Sequence, residues 1–405
     1  MVPVRFVVVV VSALLCGAPA WAQQPKPPAN DDCLTCHNDP DVKRSDGSSV
    51  SVVPNRFAES VHGPLSCVDC HADLAKTTEF PHPDKLAPVN CASCHDDPAK
   101  LLGDSVHGRR PHGGGTPLAC VDCHGKPHEI RPASDPTSAT NKLNTAATCG
   151  RCHGDTQPVP SMRGPAVSHS FADSIHGQAL AKAGLIVAPT CTDCHTSHAV
   201  AEKTSPKSPV FRTNVPATCG KCHAGIEHEY SDSVHAKALR AGNAGAAQCA
   251  SCHTAHAISR TEGDAFRLSA VQRCGNCHAE ALATYRDTFH GQVTRLGFAP
   301  VAKCEDCHRP HGTFAPSDPR SSVATVNLIA TCSKCHTGAN ANFVKYQPHA
   351  NQHDPKRLPQ LYYAARFMDV LLLGVFTFFG LHTVLWFVRE RHPDAGDTPR
   401  KDDRA

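Results

Sequence analysis

Eleven segments of the chain contain two cysteines that are separated by two residues and followed at once by a histidine. These segments use 22 of the 23 cysteines and leave over only Cys16. A thiolate is a nucleophile and a metal ligand, and a neutral imidazole is the commonest metal ligand. The pattern therefore predicts sites where both sulfurs bond to one group and the histidine ligates its metal. The segments are Cys33, Cys36 and His37; Cys67, Cys70 and His71; Cys91, Cys94 and His95; Cys120, Cys123 and His124; Cys149, Cys152 and His153; Cys191, Cys194 and His195; Cys219, Cys222 and His223; Cys249, Cys252 and His253; Cys274, Cys277 and His278; Cys304, Cys307 and His308; and Cys332, Cys335 and His336.

Three chemistries use closely spaced cysteines, and only one of them requires the histidine. In a c-type haem site the two sulfurs form thioethers to the vinyl groups, and the adjacent histidine ligates the iron from one face. Zinc needs two such cysteine arms per ion and no histidine after each arm. A disulfide framework does not require the histidine either. The repeated pattern therefore predicts haem c, covalently attached at eleven sites.

With these motifs the chain resembles the multihaem c-type cytochromes, in particular the family with doubled C-x-x-C-H motifs and cytochrome c3-like units. The resemblance covers about residues 31–353 and implies a mainly α and irregular fold, with short helices wrapped around haems and little β structure. The composition agrees, because 33 prolines, 27 glycines and 5% aromatic residues cannot build a sizeable core. Haem would have to fill the interior of this domain, which we place at residues 23–353.

Five near-repeats follow a first haem site at residues 31–50. They lie at about 55–100, 101–160, 168–228, 229–283 and 284–340, and each contains a ligand motif and two haem sites. The ligand motif is an acid, Ser or Thr, an apolar residue, His, then Gly or Ala. The small last residue is expected to let the backbone approach a flat porphyrin. The ligand-motif histidines are His62, His107, His176, His235 and His290. In each of the last three repeats the pattern predicts a helix. An Asp or Ser caps the start of this helix, and the helix ends at Gly184, Gly242 or Gly297.

A second set of histidines follows the first haem site of each unit. A histidine so close to the motif histidine cannot fold back to the same iron, so it is expected to reach a neighbouring haem. Complete bis-histidine ligation needs one more ligand, for which His349 is our candidate and His353 the alternative. The first haem, at Cys33 to His37, has no obvious partner in the sequence. Only Met162 could supply a methionine ligand, so His/Met ligation is expected at one haem at most. The second-set histidines are His128, His198, His256 and His311, with His82 as their displaced counterpart in the first unit.

Both ends of the chain carry membrane-targeting features. Residues 1–22 are typical of a signal peptide, with Arg5, an apolar run and the small residues Ala20 and Ala22. Residues 370–388 are predicted to span the membrane, after a linker at 354–369 and before a cytoplasmic tail at 389–405. Arg389 and Arg391 follow the span and indicate that this end faces the cytoplasm. We therefore expect a periplasmic domain anchored to the inner membrane.

Bis-histidine iron has no vacant position, which favours electron transfer over catalysis. The anchor, with His382 inside the span, predicts a membrane partner such as a polytopic cytochrome b or another quinone-reactive protein. Extracytoplasmic redox proteins are expected as the other partners, in anaerobic respiration. The net charge of +3 does not favour nucleic acid. The alternatives are an oxidoreductase that reduces a small inorganic substrate at one open haem, most readily the first, and an extracellular filament, which the anchor disfavours.

Overall fold

The computed structural model describes residues 26–109, 116–154 and 167–391. In these ranges the chain forms short helices and irregular segments, and the only extended pairing is one bridge between Lys43 and Ser49. This confirms the predicted fold class. The signal peptide, Cys16, Met162 and the tail from residue 392 onward fall outside the described residues. The α-helices are α1 Asn30–His37, α2 Pro54–Ala58, α3 Cys67–Cys70, α4 Asp96–Asp104, α5 Cys120–His124, α6 Thr145–His153, α7 Val167–Ala172, α8 Ile175–Ala181, α9 Cys191–His195, α10 Val215–Gly220, α11 Ala224–Ser231, α12 Val234–Arg240, α13 Cys249–His253, α14 Asp264–Gly275, α15 Ala279–Asp287, α16 Phe289–Arg295, α17 Cys304–His308, α18 Leu328–Ser333 and α19 Pro359–Arg391. The 3-10 helices are Ala72–Leu74, Cys91–Ser93, Pro127–Glu129, Thr325–Asn327 and Phe343–Lys345.

Contacts between Cα atoms divide the chain into two compact units. The first comprises Met1–Ala172 and Ala179–Glu202, and the second comprises Asp173–Gln178 and Lys203–Ala405. Each unit contains several of the predicted repeats, so each is built from the same local elements.

The first haem motif of most repeats is itself a short helix with a built-in cap. An aspartate inside the motif accepts a hydrogen bond from the backbone N–H of the residue before the first cysteine. The Ala119 N–H donates to Asp122 over 2.7 Å, and the Lys303 N–H donates to Asp306 over 2.8 Å. The carboxylate also lies in the first turn, where the helix dipole favours a negative charge. The motif therefore folds locally and presents both cysteines from one turn.

The predicted ligand helices are present in the last three repeats as α8, α12 and α16. A hydroxyl caps the start of each, as when Ser233 accepts from the Ala236 N–H and Thr288 from the Gly291 N–H, both over 3.1 Å. The three glycines after these helices have the left-handed conformation that a helix end favours. Their φ angles are 65° at Gly184, 85° at Gly242 and 89° at Gly297.

The described chain buries very little apolar surface of its own. Twelve apolar residues are buried, and five of them are alanines. A core cluster consists of Val271, Leu282 and Tyr285, with Cys304 packed against it. A domain of this length normally buries a continuous apolar core. The polypeptide therefore needs another group to fill its interior.

One described helix, α19, is long and apolar enough to cross a membrane. It has 33 residues, about 50 Å of helix, which exceeds the hydrocarbon thickness. The helix begins at Pro359, so it includes residues 359–369 of the predicted linker as well as the predicted span at 370–388. Proline is favoured in the first turn of a helix, and Arg366 forms an ion pair of 2.9 Å with Asp369 one turn later. These local interactions extend the helix beyond its apolar part.

Candidate haem sites

Ten of the eleven motif histidines face a second histidine across a nearly constant gap in the described residues. Two metal–nitrogen bonds of about 2 Å, plus about 1 Å from each nitrogen to its ring centre, add up to about 6 Å. The observed spacing therefore fits one iron between the two rings of each pair. The distances between ring centres are 6.0 Å for His37 and His82, 6.1 Å for His62 and His95, 6.3 Å for His71 and His128, 6.2 Å for His107 and His153, 6.1 Å for His124 and His198, 6.2 Å for His176 and His223, 6.2 Å for His235 and His278, 6.1 Å for His253 and His311, 5.9 Å for His290 and His336, and 6.2 Å for His308 and His349.

These pairs follow one rule along the chain. A ligand-motif histidine faces the second haem site of its own repeat, as His62 faces His95. A second-set histidine faces the first haem site of the preceding repeat, as His128 faces His71 and not its neighbour His124. The structure thus brings the predicted ligand histidines together in ten pairs. For His195 and His256, which belong to different compact units, the second ligands remain predictions.

The two ends of the array depart from the repeat rule. The ring of His82 faces His37, so the first motif has the partner that was not obvious in the sequence. At the other end no repeat follows, and His349 faces His308. The alternative candidate, His353, instead lies with its Nδ1 3.5 Å from Nη2 of Arg366.

Successive repeats are joined by a recurring backbone hydrogen bond. The donor is the backbone N–H of the residue just before a ligand-motif histidine. The acceptor is a backbone carbonyl oxygen in the next repeat, two residues after the second-set histidine of that repeat. This bond holds each second-set histidine opposite the motif of the preceding repeat. The bonds run from Val61 to Ile130 over 2.9 Å, from Val106 to Val200 over 2.9 Å, from Ile175 to Ile258 over 2.7 Å and from Val234 to Thr313 over 2.9 Å.

Several of these imidazoles are oriented by a bond to Nδ1. His37 lies 2.9 Å from the carbonyl oxygen of Val50, and His349 lies 3.0 Å from the hydroxyl of Thr284. A bond at Nδ1 fixes the tautomer and leaves Nε2 for a metal. Burial, followed by the nearby His153 ring, lowers the pKa of His107, and burial likewise lowers the pKa of His349. For His107 and His349, burial therefore favours the neutral form, which is the form that ligates metal.

Neighbouring motifs are in direct contact through their cysteines. The first cysteines of consecutive motifs are hydrogen-bonded in pairs, and the intervening contacts are made by second cysteines. Motifs that are consecutive in sequence therefore lie side by side in each compact unit. The bonded pairs are Cys33 and Cys67, Cys91 and Cys120, Cys149 and Cys191, Cys219 and Cys249, and Cys274 and Cys304. The intervening electrostatic contacts include Cys70 with Cys94, Cys123 with Cys149, Cys252 with Cys274, and Cys307 with Cys332.

The arrangement does not suit a bare metal ion or a disulfide framework. Among the described residues, no group of three or more His, Cys, Asp or Glu side chains could hold a metal ion. Zinc would need four such ligands in a tetrahedron. Cys149 and Cys191, although in contact, are hydrogen-bonded and not joined by a disulfide. The motif sites therefore fit a large planar group with one iron.

The structure also contains a supporting loop that sequence reasoning missed. In three repeats an asparagine side chain donates to two carbonyls of a preceding turn, and a threonine before the second haem motif donates to a third. The Asn214 side-chain amide, for example, donates to the carbonyl oxygens of Pro206 and Ser208, both over 2.9 Å. The Thr218 hydroxyl donates to the carbonyl oxygen of Pro209 over 2.7 Å. The signal was the recurring pattern P-x-S, then Asn and T-C at fixed distances. It occurs at residues 136–149, 206–219 and 319–332.

The small residue after the ligand-motif histidine lies in a crowded place. A Cβ atom added at Gly63, Gly108 or Gly291 would collide with a carbonyl of the preceding turn or helix, such as that of Leu102. The backbone of the preceding turn therefore itself favours glycine at these three positions, and the approach of a porphyrin stays a prediction. Ala236 takes this place in the fourth repeat and is buried.

Gly125 provides a test of backbone strain beside a haem motif. It has φ 84° and ψ −158° directly after His124, and an added Cβ would meet nothing within 4 Å. We expect Gly125→Ala to lower the free energy of unfolding by about 1–3 kcal/mol, through backbone strain alone. Gly103→Ala, in α4 with equally open space, should instead raise it by about 0.5–1 kcal/mol. Denaturant unfolding of the two variants measures these changes in the free energy of unfolding. Equal changes at both positions would contradict the prediction of strain at Gly125.

Two tyrosines near the motifs have structural roles. The hydroxyl of Tyr230 donates to the carbonyl of Ala247 over 2.8 Å, and that of Tyr285 donates to Ala302 over 2.9 Å. Burial raises the pKa of Tyr230 to about 12. Each tyrosine therefore joins the helix before a ligand motif to the loop before a haem motif.

Comparison with known proteins agrees with this geometry. The family model described as doubled CXXCH motif matches residues 185–228, which contain two of the eleven motifs. No curated protein and no solved structure matches the chain. The matched model and the many cysteine pairs indicate a multihaem c-type cytochrome, with haem bound covalently at CXXCH motifs.

Proposed function

We propose that this chain carries eleven haems c, bis-histidine ligated in all or nearly all sites, and transfers electrons along them in sequence order. The observation that supports this most strongly is the set of histidine pairs at 5.9–6.3 Å, one pair per motif for ten motifs. Covalently bound haem supplies the reversible one-electron chemistry. Two histidines of the chain would ligate each iron, so a substrate would find no vacant position while both stay bound.

The contacts between cysteines support an unbroken order of haems within each compact unit. Cys274 is hydrogen-bonded to Cys304 and lies near Cys252. The thioether positions of three consecutive motifs are therefore adjacent. Haems attached at such positions would lie close to one another. Short edge separations are what electron hopping requires.

The haem number is tested by the mass of the mature protein. We expect intact-protein mass spectrometry to give the chain without residues 1–22 plus eleven haems. Low-temperature spectra should show low-spin iron throughout, because each iron would have one histidine nitrogen on each face of the porphyrin. A mass with fewer than ten haems, or several high-spin signals in purified protein, would overturn the proposal.

We also propose that α19 anchors the protein in the inner membrane, with the haem domain in the periplasm, and that electrons pass between a quinone-reactive polytopic partner and an extracytoplasmic redox protein in respiration. The apolar length of α19 supports the anchor, and Arg389 and Arg391 at its end support the orientation. A single helix cannot enclose a quinone by itself, so a second membrane protein is required.

His382 tests the membrane partner. An imidazole within the span is costly unless it has a partner or a role. We expect His382→Ala to slow quinol-driven haem reduction in membranes about tenfold or more, with dithionite reduction unchanged. Thr383→Ala, on the adjacent residue, is the matched control and should have little effect. Unchanged quinol kinetics in His382→Ala would remove His382 from the partner contact.

A further inference from the structure

The second ligand of the first haem site differs from the others in how it is held. His82 lies in an irregular loop between the 3-10 helices Ala72–Leu74 and Cys91–Ser93. The second-set histidines of later repeats are held by the recurring backbone bond, as at Val61 and Ile130, and His349 by Thr284. His82 instead bonds through Nδ1 to the carbonyl of Pro83, its own neighbour, at 2.9 Å. A bond within the loop moves with the loop and does not restrain it.

The loop has few further attachments to the rest of the protein. The Ala87 N–H donates to Oδ2 of Asp73 over 2.8 Å, and the Thr77 N–H donates to the carbonyl of Leu74 over 3.0 Å. Proline has no N–H, so Pro81 and Pro83 on either side of His82 cannot donate to any neighbouring backbone. The segment that carries the ligand is therefore held mainly at its two ends.

A cleft of about 550 Å³ lies along this loop, lined by Lys76, Thr77, Thr78, Glu79, Pro81, His82 and Pro83. Its volume exceeds that of an imidazole, so the displaced ring has space to move into. Lys76 and Glu79 carry opposite formal charges, and the cleft therefore does not select a charged ligand. Since the ring centres of His37 and His82 are 6.0 Å apart, whatever takes the place of the His82 ring should be small.

We propose that His82 is a releasable ligand and that the first haem site binds a small uncharged diatomic molecule in its place. The other ring, His37, stays attached, because it follows Cys36 directly and its Nδ1 is bonded to Val50. This inference rests on the proposed ligation at His37. The remaining sites keep both of their histidines.

Carbon monoxide added to the full-length reduced protein in detergent tests this inference. We expect one molecule bound per chain, at a rate that stops increasing at high carbon monoxide concentration, because release of His82 precedes binding. His82→Ala should also bind one molecule, but at a rate proportional to concentration throughout. If the native protein binds no carbon monoxide while His82→Ala binds one molecule, His82 is a fixed ligand. Two molecules bound by His82→Ala would place the native site at another haem. Either result overturns the proposal.

A second variant keeps every proposed ligand in place. Asp73→Ala removes the acceptor for the Ala87 N–H and should raise the limiting rate roughly tenfold. Asp84→Ala removes an exposed carboxylate of the same loop and should leave the rate unchanged. Equal rates in all three proteins would overturn the inference. Failure here is distinct from failure of the haem proposal, since mass and low-spin spectra report the haems without carbon monoxide.

Discussion

His349→Ala is expected to convert one haem of the array from low-spin to high-spin. The ring of this residue faces His308 at 6.2 Å and lies beyond the last repeat. Its removal leaves one axial position of that iron without a protein ligand, since the next histidine, His353, is directed to Arg366. Electron paramagnetic resonance of the oxidised protein should show one new high-spin haem per chain.

Two matched variants make this prediction specific. His353→Ala removes a histidine only four positions away and should leave all haems low-spin. Thr284→Val removes the hydroxyl bonded to Nδ1 of His349 and should preserve the low-spin state. It should also raise the potential of that haem, because an imidazole without this bond is a weaker electron donor. A high-spin signal from His353→Ala but not from His349→Ala would reverse the assignment.

The chain made without haem attachment is expected to lose its fold outside α19. With twelve buried apolar residues, five of them alanines, side chains recover only a small part of the cost of ordering the backbone. That cost is about 1–2 kcal/mol per residue. The case is comparable to small metal domains that are unfolded without their metal.

This loss is measured on protein expressed where no haem-attaching system operates. Hydrogen exchange should be fast throughout residues 26–353, while α19 in detergent should remain protected. The haem-loaded protein is the control and should show protection at α14 and α15, around Val271 and Leu282. Cooperative thermal unfolding of the haem-free domain would contradict the expectation.

The sequence predicted the fold class and the candidate ligands because both depend on local patterns. The C-x-x-C-H helices and the ligand helices are set by caps and glycines a few residues apart, as at Ser233 and Gly242. Which histidine faces which motif could not be predicted. His82 and His37 are far apart in sequence, and only the path of the loop brings their rings together.

The supporting loops and the helical start of α19 became clear only in the structure, although the loops leave a recurring sequence pattern. The asparagine at 214 is unremarkable by itself, and its role appears only when three carbonyl partners converge around it and Thr218. The linker before the span was inferred from polarity. Polar residues such as Arg366 and Asp369 are compatible with a helix when they pair one turn apart.

The exchange of ligands between successive repeats has a consequence for how the length of such a protein can change. The second repeat contributes His128 to the repeat before it and takes His198 from the repeat after it. Inserting or deleting one whole repeat therefore conserves the number of axial ligands. A cut at any other place would leave an iron with one histidine ligand, and the segment with His349 would supply the ligand that closes the last repeat.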